Sequence, residues 1–397
     1  MKNSWSYSKF SSIFLMATGN SINEEIKRSK YLNATSGLPY YSTADIANSR
    51  ELIPVASVRI LESDAKSFKV AEPGSVLLCI EGGSAGRKIA QTYEKCHFGN
   101  KILSIYSSEP VTNKFAFYFM QTEEFINDFK RAQTGLIGGV SLNKMKEFVF
   151  PNPPKEEKYR IVSKLDEMLG LLGEVRANTV TSKMELDSLW QQSLRNAFVF
   201  DAPIKSLDDI CLKITDGSHN PPKGIGKSPF LMLSAKDVLD DFVSTDSARF
   251  LSKENFEIEN RRTQVSDGDV LLTIVGTIGR VAVASNLKNI TFQRSVAVLR
   301  PIPEIVNPRF LMYYLVSMRR EIESKATGTA QKGIYLGQLK SLTIKLPSIS
   351  EQTSIVQRLD ELKSSIDRQH QVFAEKELET SRLRSAILST AFKGELK

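Results

Sequence analysis

Pro347-Ser348-Ile349-Ser350-Glu351-Gln352-Thr353-Ser354-Ile355-Val356-Gln357-Arg358-Leu359-Asp360-Glu361-Leu362 has an earlier version 194 positions upstream. There the chain reads Pro153-Pro154-Lys155-Glu156-Glu157-Lys158-Tyr159-Arg160-Ile161-Val162-Ser163-Lys164-Leu165-Asp166-Glu167-Met168. The register runs on without a gap, through Leu189 over Leu383 and Leu194 over Leu388, to Ala197-Phe198 over Ala391-Phe392. Self-similarity at a fixed period is the mark of a duplicated structural unit. Further upstream, Pro73-Gly74-Ser75-Val76-Leu77-Leu78-Cys79-Ile80 lies over Asp267-Gly268-Asp269-Val270-Leu271-Leu272-Thr273-Ile274, and Phe98 over Phe292. Gly86-Arg87 meets Gly279-Arg280 with a one-residue slip, and Thr134 and Leu142 meet Thr327 and Leu336 within a residue of the same offset.

Each copy is a variable block followed by a helical block. The helical blocks have apolar residues three or four apart: Ile161, Leu165, Met168, Leu172 and Val175, then Leu186 and Leu189, in the first; Ile355, Leu359, Leu362 and Ile366, then Phe373, Leu383 and Ile387, in the second. This heptad-like seam predicts two long helices packed on each other. Prolines stand just before both, where they are tolerated, and Ser350 with Thr353 does not make a capping box. Gly170 and Gly173 each cost about 1 kcal/mol relative to Ala inside a helix, and mark a kink or a close approach. The variable blocks alternate β-rich runs (75–80, 269–275, 280–284) with one aromatic helical segment each, 114–130 and 308–325. The predicted class is therefore mixed α+β: two α/β domains, 1–153 and 201–349, alternating with helices at 154–200 and 350–397 that pair as an antiparallel coiled coil with pseudo-two-fold symmetry.

With 397 residues and 41% hydrophobic content the chain is long enough for several domains with real cores, which excludes a disordered or collagen-like chain. Cys79, Cys96 and Cys211 form no CxxC pair, too few for a disulfide scaffold or zinc cage, and fit a reducing cytoplasm. The run Ile13 to Ala17 is too short for a signal-peptide core, and no stretch approaches a bilayer-spanning length, so no membrane association is expected. Residues 154–200 hold seven basic and seven acidic side chains and residues 350–397 eight of each, so the formal charge of +8 falls in the variable blocks, +4 in each. Two mildly basic domains on neutral spacers suit a polyanion touched twice.

Catalytic motifs are incomplete. Asn152-Pro153-Pro154-Lys155 and Asn220-Pro221-Pro222-Lys223 carry lysine where adenine methyltransferases have the aromatic ring that stacks a flipped base. Gly224-Ile225-Gly226-Lys227-Ser228 ends like a phosphate-binding loop, but Pro221 occupies the place of its first glycine. Glu323-Ser324-Lys325 and Glu361-Leu362-Lys363 lack an upstream Pro-Asp partner, and His97, His219 and His370 show no metal-ligand spacing. No metal site, no cofactor and no catalytic residue is assigned to the chain.

With its duplicated helix entrances and variable-helical-variable-helical order, the chain resembles the specificity subunits of type I restriction-modification systems over essentially its full length. Thr215-Asp216-Gly217-Ser218-His219-Asn220-Pro221, Gly276-Thr277-Ile278-Gly279-Arg280 and Gly328-Thr329-Ala330-Gln331-Lys332-Gly333 carry the same resemblance, while the first copy shows no Thr-Asp-Gly-Ser-His counterpart. The resemblance implies a non-catalytic, sequence-specific DNA-binding subunit. Its partners would be double-stranded DNA, two methyltransferase subunits holding S-adenosylmethionine, and restriction subunits using ATP and Mg. Each variable block would be a target recognition domain. A forty-residue helix rises about 60 Å, so its two domains would reach sites about one DNA turn apart. The target would be two unlike half-sites separated by unread base pairs. Alternatives are a stand-alone DNA-binding regulator and a helical protein-interaction scaffold.

Glycine-bearing polar loops let backbone approach a phosphate while Arg, Lys, Asn and Gln read base edges. The DNA-binding candidates are Arg87, Lys88, Asn100, Lys101, Thr134 and Asn143 in the first domain, and His219, Asn220, Lys223, Arg280, Gln293, Arg294, Gln331 and Lys332 in the second. Helix-helix packing is expected from Ile161, Leu165, Met168, Leu172, Leu189, Ile355, Leu359, Leu362, Ile366 and Leu383, with Trp190 and Phe198 in cores. Glu174, Arg176, Glu375 and Glu377 are charged helix-face positions for a methyltransferase to bind.

Overall fold

The computed structural model describes residues 5–53, 56–134, 138–328 and 332–396. The chain divides into two compact units, residues 1–180 with 374–397 and residues 181–373. The helices Lys155–Ala197 and Ile349–Phe392 each contribute a segment to both units.

In unit 1, an antiparallel sheet orders its strands Leu15–Thr18, Ile102–Tyr106, Val76–Cys79, Ile89–Gln91. A second sheet orders Arg59–Ile60, Leu38–Tyr41, Cys96–Phe98, Val70–Ala71, with Tyr40 beside His97 in a parallel pair. Unit 2 repeats the first order with Cys211–Asp216, Val296–Pro301, Val270–Thr273, Val281–Val283. Its second sheet is Arg249–Leu251, Phe230–Leu233, Ile290–Phe292, again with one parallel pair, Leu231 beside Ile290.

The matched apolar strands are central because alternate side chains enter different cores. Val76 and Leu78 join a cluster with Phe10, Phe115, Phe119 and Phe150, while Leu77 joins one with Phe98 and Ile102. Val270 and Leu272 likewise pack with Phe310 and Leu315, and Leu271 with Phe292.

Within each unit the long-helix segments run in opposite directions. In unit 1, Arg160 donates to the Leu396 carbonyl at 2.7 Å, and Ile161 and Leu165 share a core with Ile387, Leu388 and Ala391. In unit 2, His370 meets Asp187 at 3.1 Å, and Leu194 and Phe198 pack with Ile355, Val356 and Leu359. Ile366 is buried, Met168, Leu172 and Leu362 are half-buried, and Trp190 packs edge-on to Tyr313.

Leu189 and Leu383 instead point outward, 48% and 49% exposed. A 3.6-residue helix drifts away from a strict seven-residue stripe over this length, so Trp190 and Leu194, and Ile387 and Leu388, face inward in their place. A capping box does exist at the C-terminal helix, two residues ahead of Ser350: Ser348 Oγ accepts from Glu351 N at 3.4 Å, and Glu351 accepts from Ser348 N at 2.9 Å. The aromatic helical segments are each two helices, Pro110–Phe119 with Glu123–Ala132 and Pro308–Ser317 with Arg319–Ser324. Thr122 divides the first pair by capping Phe125 N.

The helix runs unbroken through Gly170 and Gly173, and a Cβ at either would meet nothing within 4 Å. They are not points of close approach. Gly170→Ala and Gly173→Ala are each expected to stabilise unit 1 by about 1 kcal/mol, read as a rise in denaturation midpoint.

The duplicated Leu-Asp-Glu aspartate fastens each domain to its helix. Asp166 accepts from Tyr118 at 2.5 Å and pairs with Lys114 at 2.7 Å. Asp360 accepts from Tyr313 at 2.6 Å and pairs with Arg309 at 2.6 Å, and Arg309 also reaches Asp241 at 3.0 Å. Burial works against the Arg309 charge, but the bonds to Asp360 and Asp241 outweigh it and raise the pKa. Two turns earlier, the matched positions Lys158 and Gln352 are buried against the start of the domain helix. Lys158 bonds Thr112 at 3.0 Å, and Gln352 bonds Asn307 N and the Ile305 carbonyl, both at 2.9 Å.

Candidate nucleic-acid interface

In unit 2, Cys211–Asp216 ends in Gly217, whose place no larger residue can take: an ideal Cβ would stand 1.9 Å from the Phe292 carbonyl oxygen. This close approach lets Ser218 N donate to Phe292 O at 2.8 Å and Arg294 N to Ser218 O at 2.9 Å. His219 and Asn220 are thereby set beside Gln293 and Arg294.

The neighbouring strand Val270–Thr273 ends in a glycine turn, with Gly276 and Gly279 at φ of +83° and +86°. Arg280 leaves that turn with its N–H on Thr273 Oγ1 at 2.9 Å. Ile274 N donates to Ser295 O, and Val275 pairs with Gly333, next to Lys332. His219, Asn220, Arg280, Gln293, Arg294 and Lys332 therefore converge on one end of the sheet. Lys223 lies farther along the His219 loop, which Arg249 holds through the Pro222 carbonyl at 2.8 Å. Gln331 lies outside the described residues.

Unit 1 builds the same platform. Cys79 N donates to Lys88 O and Ile80 N to Lys101 O, both at 2.9 Å, while Glu81 pairs with Gly139, itself paired with Thr134. Arg87, Lys88, Asn100, Lys101 and Thr134 gather at this sheet end; Asn143 stands apart on the short helix Leu142–Lys146. The first copy does have a counterpart of Thr-Asp-Gly-Ser. Gly19 would also place a Cβ 1.9 Å from a carbonyl oxygen, that of Phe98, and Asn20 N donates there at 3.0 Å. Only the glycine is common to Thr18-Gly19-Asn20 and Asp216-Gly217-Ser218, which is why sequence comparison passes over it.

The side chains divide into anchored and free. Lys88 is spent on the Thr43 carbonyl at 2.9 Å, and Arg87 bonds the Gly83 carbonyl. Among the described residues, Asn100, Lys101, Lys223, Arg280, Arg294 and Lys332 make no side-chain hydrogen bond or ion pair. Unpaired cations and amides at a glycine-lined sheet end suit phosphates and base edges.

Sequence reasoning missed Arg262. Its guanidinium grips Asp216 and lies 3.4 Å from His219 Nε2, which itself bonds Asp216 at 2.8 Å. No local pattern joins positions so far apart in sequence. Among the described residues, no group of three or more His, Cys, Asp or Glu is placed to hold a metal, and no helix is long and apolar enough to cross a membrane.

Fold and platform together define a duplicated protein, with two α/β domains carrying equivalent loops and tied to paired helices. A family model described as the type I restriction modification DNA specificity domain matches residues 2–176 and 239–376, and the chain belongs to this family of non-catalytic specificity subunits. It is 23% identical to the type I restriction enzyme EcoBI specificity subunit of Escherichia coli, over 92% of this chain and 84% of that one. It is 25% identical to the EcoKI specificity subunit of Escherichia coli strain K12, over 83% and 76%. A chain from a structural study of complex assembly and conformational transition of the type I R-M system superposes with a TM-score of 0.76, covering 99% and 98% at 22% identity, a likeness of fold. The protein is a DNA-binding specificity subunit of type I restriction-modification.

Proposed function

We propose that each unit reads one half of an asymmetric, two-part DNA target across an unread spacer, and that the paired helices recruit two methyltransferase subunits and, for cleavage, restriction subunits. One observation carries the reading: the same sheet-end platform occurs twice, with different side chains on each copy. Identical frames with different contacts read different bases. S-adenosylmethionine would belong to the methyltransferase subunits, and ATP with Mg to the restriction subunits. This chain would supply DNA affinity, register and spacing.

Mapping methylated adenines in host cells with and without this gene tests the reading. Loss of methylation at one two-part motif supports it; an unchanged methylation pattern overturns it. A stand-alone regulator would also purify from the host without a methyltransferase.

Arg280→Gln and Arg294→Gln are expected to weaken DNA binding by the purified complex. Where the lost contact is to phosphate, the slope of log K against log salt should fall by about 0.9 per contact. Where it is to guanine, discrimination at one base pair should fall by about 1–3 kcal/mol. Titration at several salt concentrations separates the two.

A further inference from the structure

At the platform of unit 2, one carboxylate is divided between two side chains. Asp216 closes the strand Cys211–Asp216 and is buried. Arg262, at the end of the helix Lys253–Thr263, puts Nε on Asp216 Oδ1 at 3.0 Å and on the Asp216 carbonyl at 2.9 Å, and Nη2 on the same Oδ1. The other oxygen, Oδ2, takes His219 Nε2 at 2.8 Å. Each carboxylate oxygen is committed to one partner.

This pairing fixes where the imidazole proton sits. An ionised carboxylate only accepts, so Nε2 donates, and in the uncharged ring Nδ1 is then a bare acceptor. Arg262 Nη2, 3.4 Å from Nε2, also only donates, so the two nitrogens share the carboxylate and do not bond each other. Among the described residues Nδ1 has no hydrogen-bond partner, and the His219 side chain is 53% exposed. The bonds from Ser218 N to Phe292 O and from Arg294 N to Ser218 O hold this ring beside Gln293 and Arg294.

The frame does not need the device. In unit 1, Thr18-Gly19-Asn20-Ser21 takes the place of Asp216-Gly217-Ser218-His219, and Gly19 makes its close approach to Phe98 with neither the carboxylate nor the ring. In unit 2 the tether between the helix and the strand end is complete in Arg262 and Asp216 alone. His219 is an exposed addition to it.

We propose, on the reading that this platform faces one half-site, that His219 is a specificity-determining residue whose Nδ1 accepts from the major-groove amino group of an adenine or a cytosine, with Asp216 and Arg262 as its positioning residues. Adenine N6 and cytosine N4 are the donors of the major groove, whereas guanine and thymine present acceptors there. Phosphate oxygens are acceptors too, so a bare Nδ1 suits none of these. Arg262 has a defined part. Because it can only donate to Oδ1, in Asp216→Asn the amide turns its oxygen to Arg262 and its NH2 to His219. Nε2 must then accept, the proton sits on Nδ1, and the reading acceptor becomes a donor.

The chain is purified from its host with whatever subunits accompany it, and its preferred duplexes are selected from a random pool. Each adenine or cytosine of the selected sequence is then replaced, one at a time, by purine or pyrimidinone, which lack the amino group. The wild type should lose about tenfold in affinity at one such position. His219→Ala, which alters an exposed side chain, and Asp216→Asn should both be indifferent there while keeping their dependence on the other positions. Nitrogen NMR of the full-length chain labelled at its three histidines should find the His219 proton on Nε2 in the wild type and on Nδ1 in Asp216→Asn. No sensitive position in the wild type, or the same sensitivity retained by either variant, overturns the proposal. So does a salt slope lower by about 0.9 in His219→Ala, the mark of an imidazolium on a phosphate. A selected motif without two parts overturns the two-part reading alone, because the amino-group result is read on whatever sequence is selected.

Discussion

Gly217→Ala should abolish DNA binding by unit 2 and lower its stability by about 3 kcal/mol, the upper end of what overpacking costs. The methyl group would fall 1.9 Å from the Phe292 carbonyl oxygen, and both partners are backbone, so no rotamer change relieves the clash. Strands Cys211–Asp216 and Ile290–Phe292 would have to separate, breaking the Ser218 N to Phe292 O and Arg294 N to Ser218 O bonds that place His219, Gln293 and Arg294. Gly19→Ala should do the same to unit 1 against Phe98. Chemical denaturation and DNA titration check both. A variant with unchanged stability and affinity would show that the glycine is not what sets the loop.

Asp360→Ala should loosen the second domain from the C-terminal helix at a cost of about 1–3 kcal/mol, discounted from the fully buried case because these side chains remain more than one-third exposed. It removes the acceptor of Tyr313 and one of the two carboxylates on Arg309, leaving that cation with the Asp241 carboxylate and the Tyr313 hydroxyl. Tyr313→Phe removes two hydrogen bonds, one donated to Asp360 and one accepted from Arg309, and should cost about 1–3 kcal/mol. Asp166→Ala, which strands Tyr118 and Lys114, is the matching change in unit 1. A double-mutant cycle between Asp360 and Tyr313 measures the coupling; additive losses would mean that the two do not act together.

The architecture was legible because a duplication tests itself. The buried strands Val76–Cys79 and Val270–Thr273 and both long helices follow from one register, and the turns at Gly86 and Gly279 from the same register with a one-residue slip. Leu189 and Leu383 escaped it because seam periodicity drifts around a long helix, and the box at Ser348 because its partner is Glu351 and not Thr353. Loop candidates at the sheet ends were legible as glycine-flanked polar residues next to matched strands. Whether each is free was not: Lys88 is held by a main-chain carbonyl of a distant loop, while Lys101 is unpaired. Arg262 and the counterpart glycine Gly19 depend on contacts across 46 and 79 residues, for which no local pattern exists. The aspartates of the two clamps were visible as a repeated Leu-Asp-Glu, but their tyrosine and cation partners appear only once the domain helix lies on the scaffold helix.

Two copies of one frame are proposed to read two different half-sites. Mapping methylated adenines in cells carrying either the wild-type chain or one with Arg280→Gln and Arg294→Gln tests it most directly. The wild-type motif should have two parts, and the variant should relax bases in one half only, leaving the other half and the spacer length unchanged. A single uninterrupted motif, or equal relaxation of both halves, would contradict it.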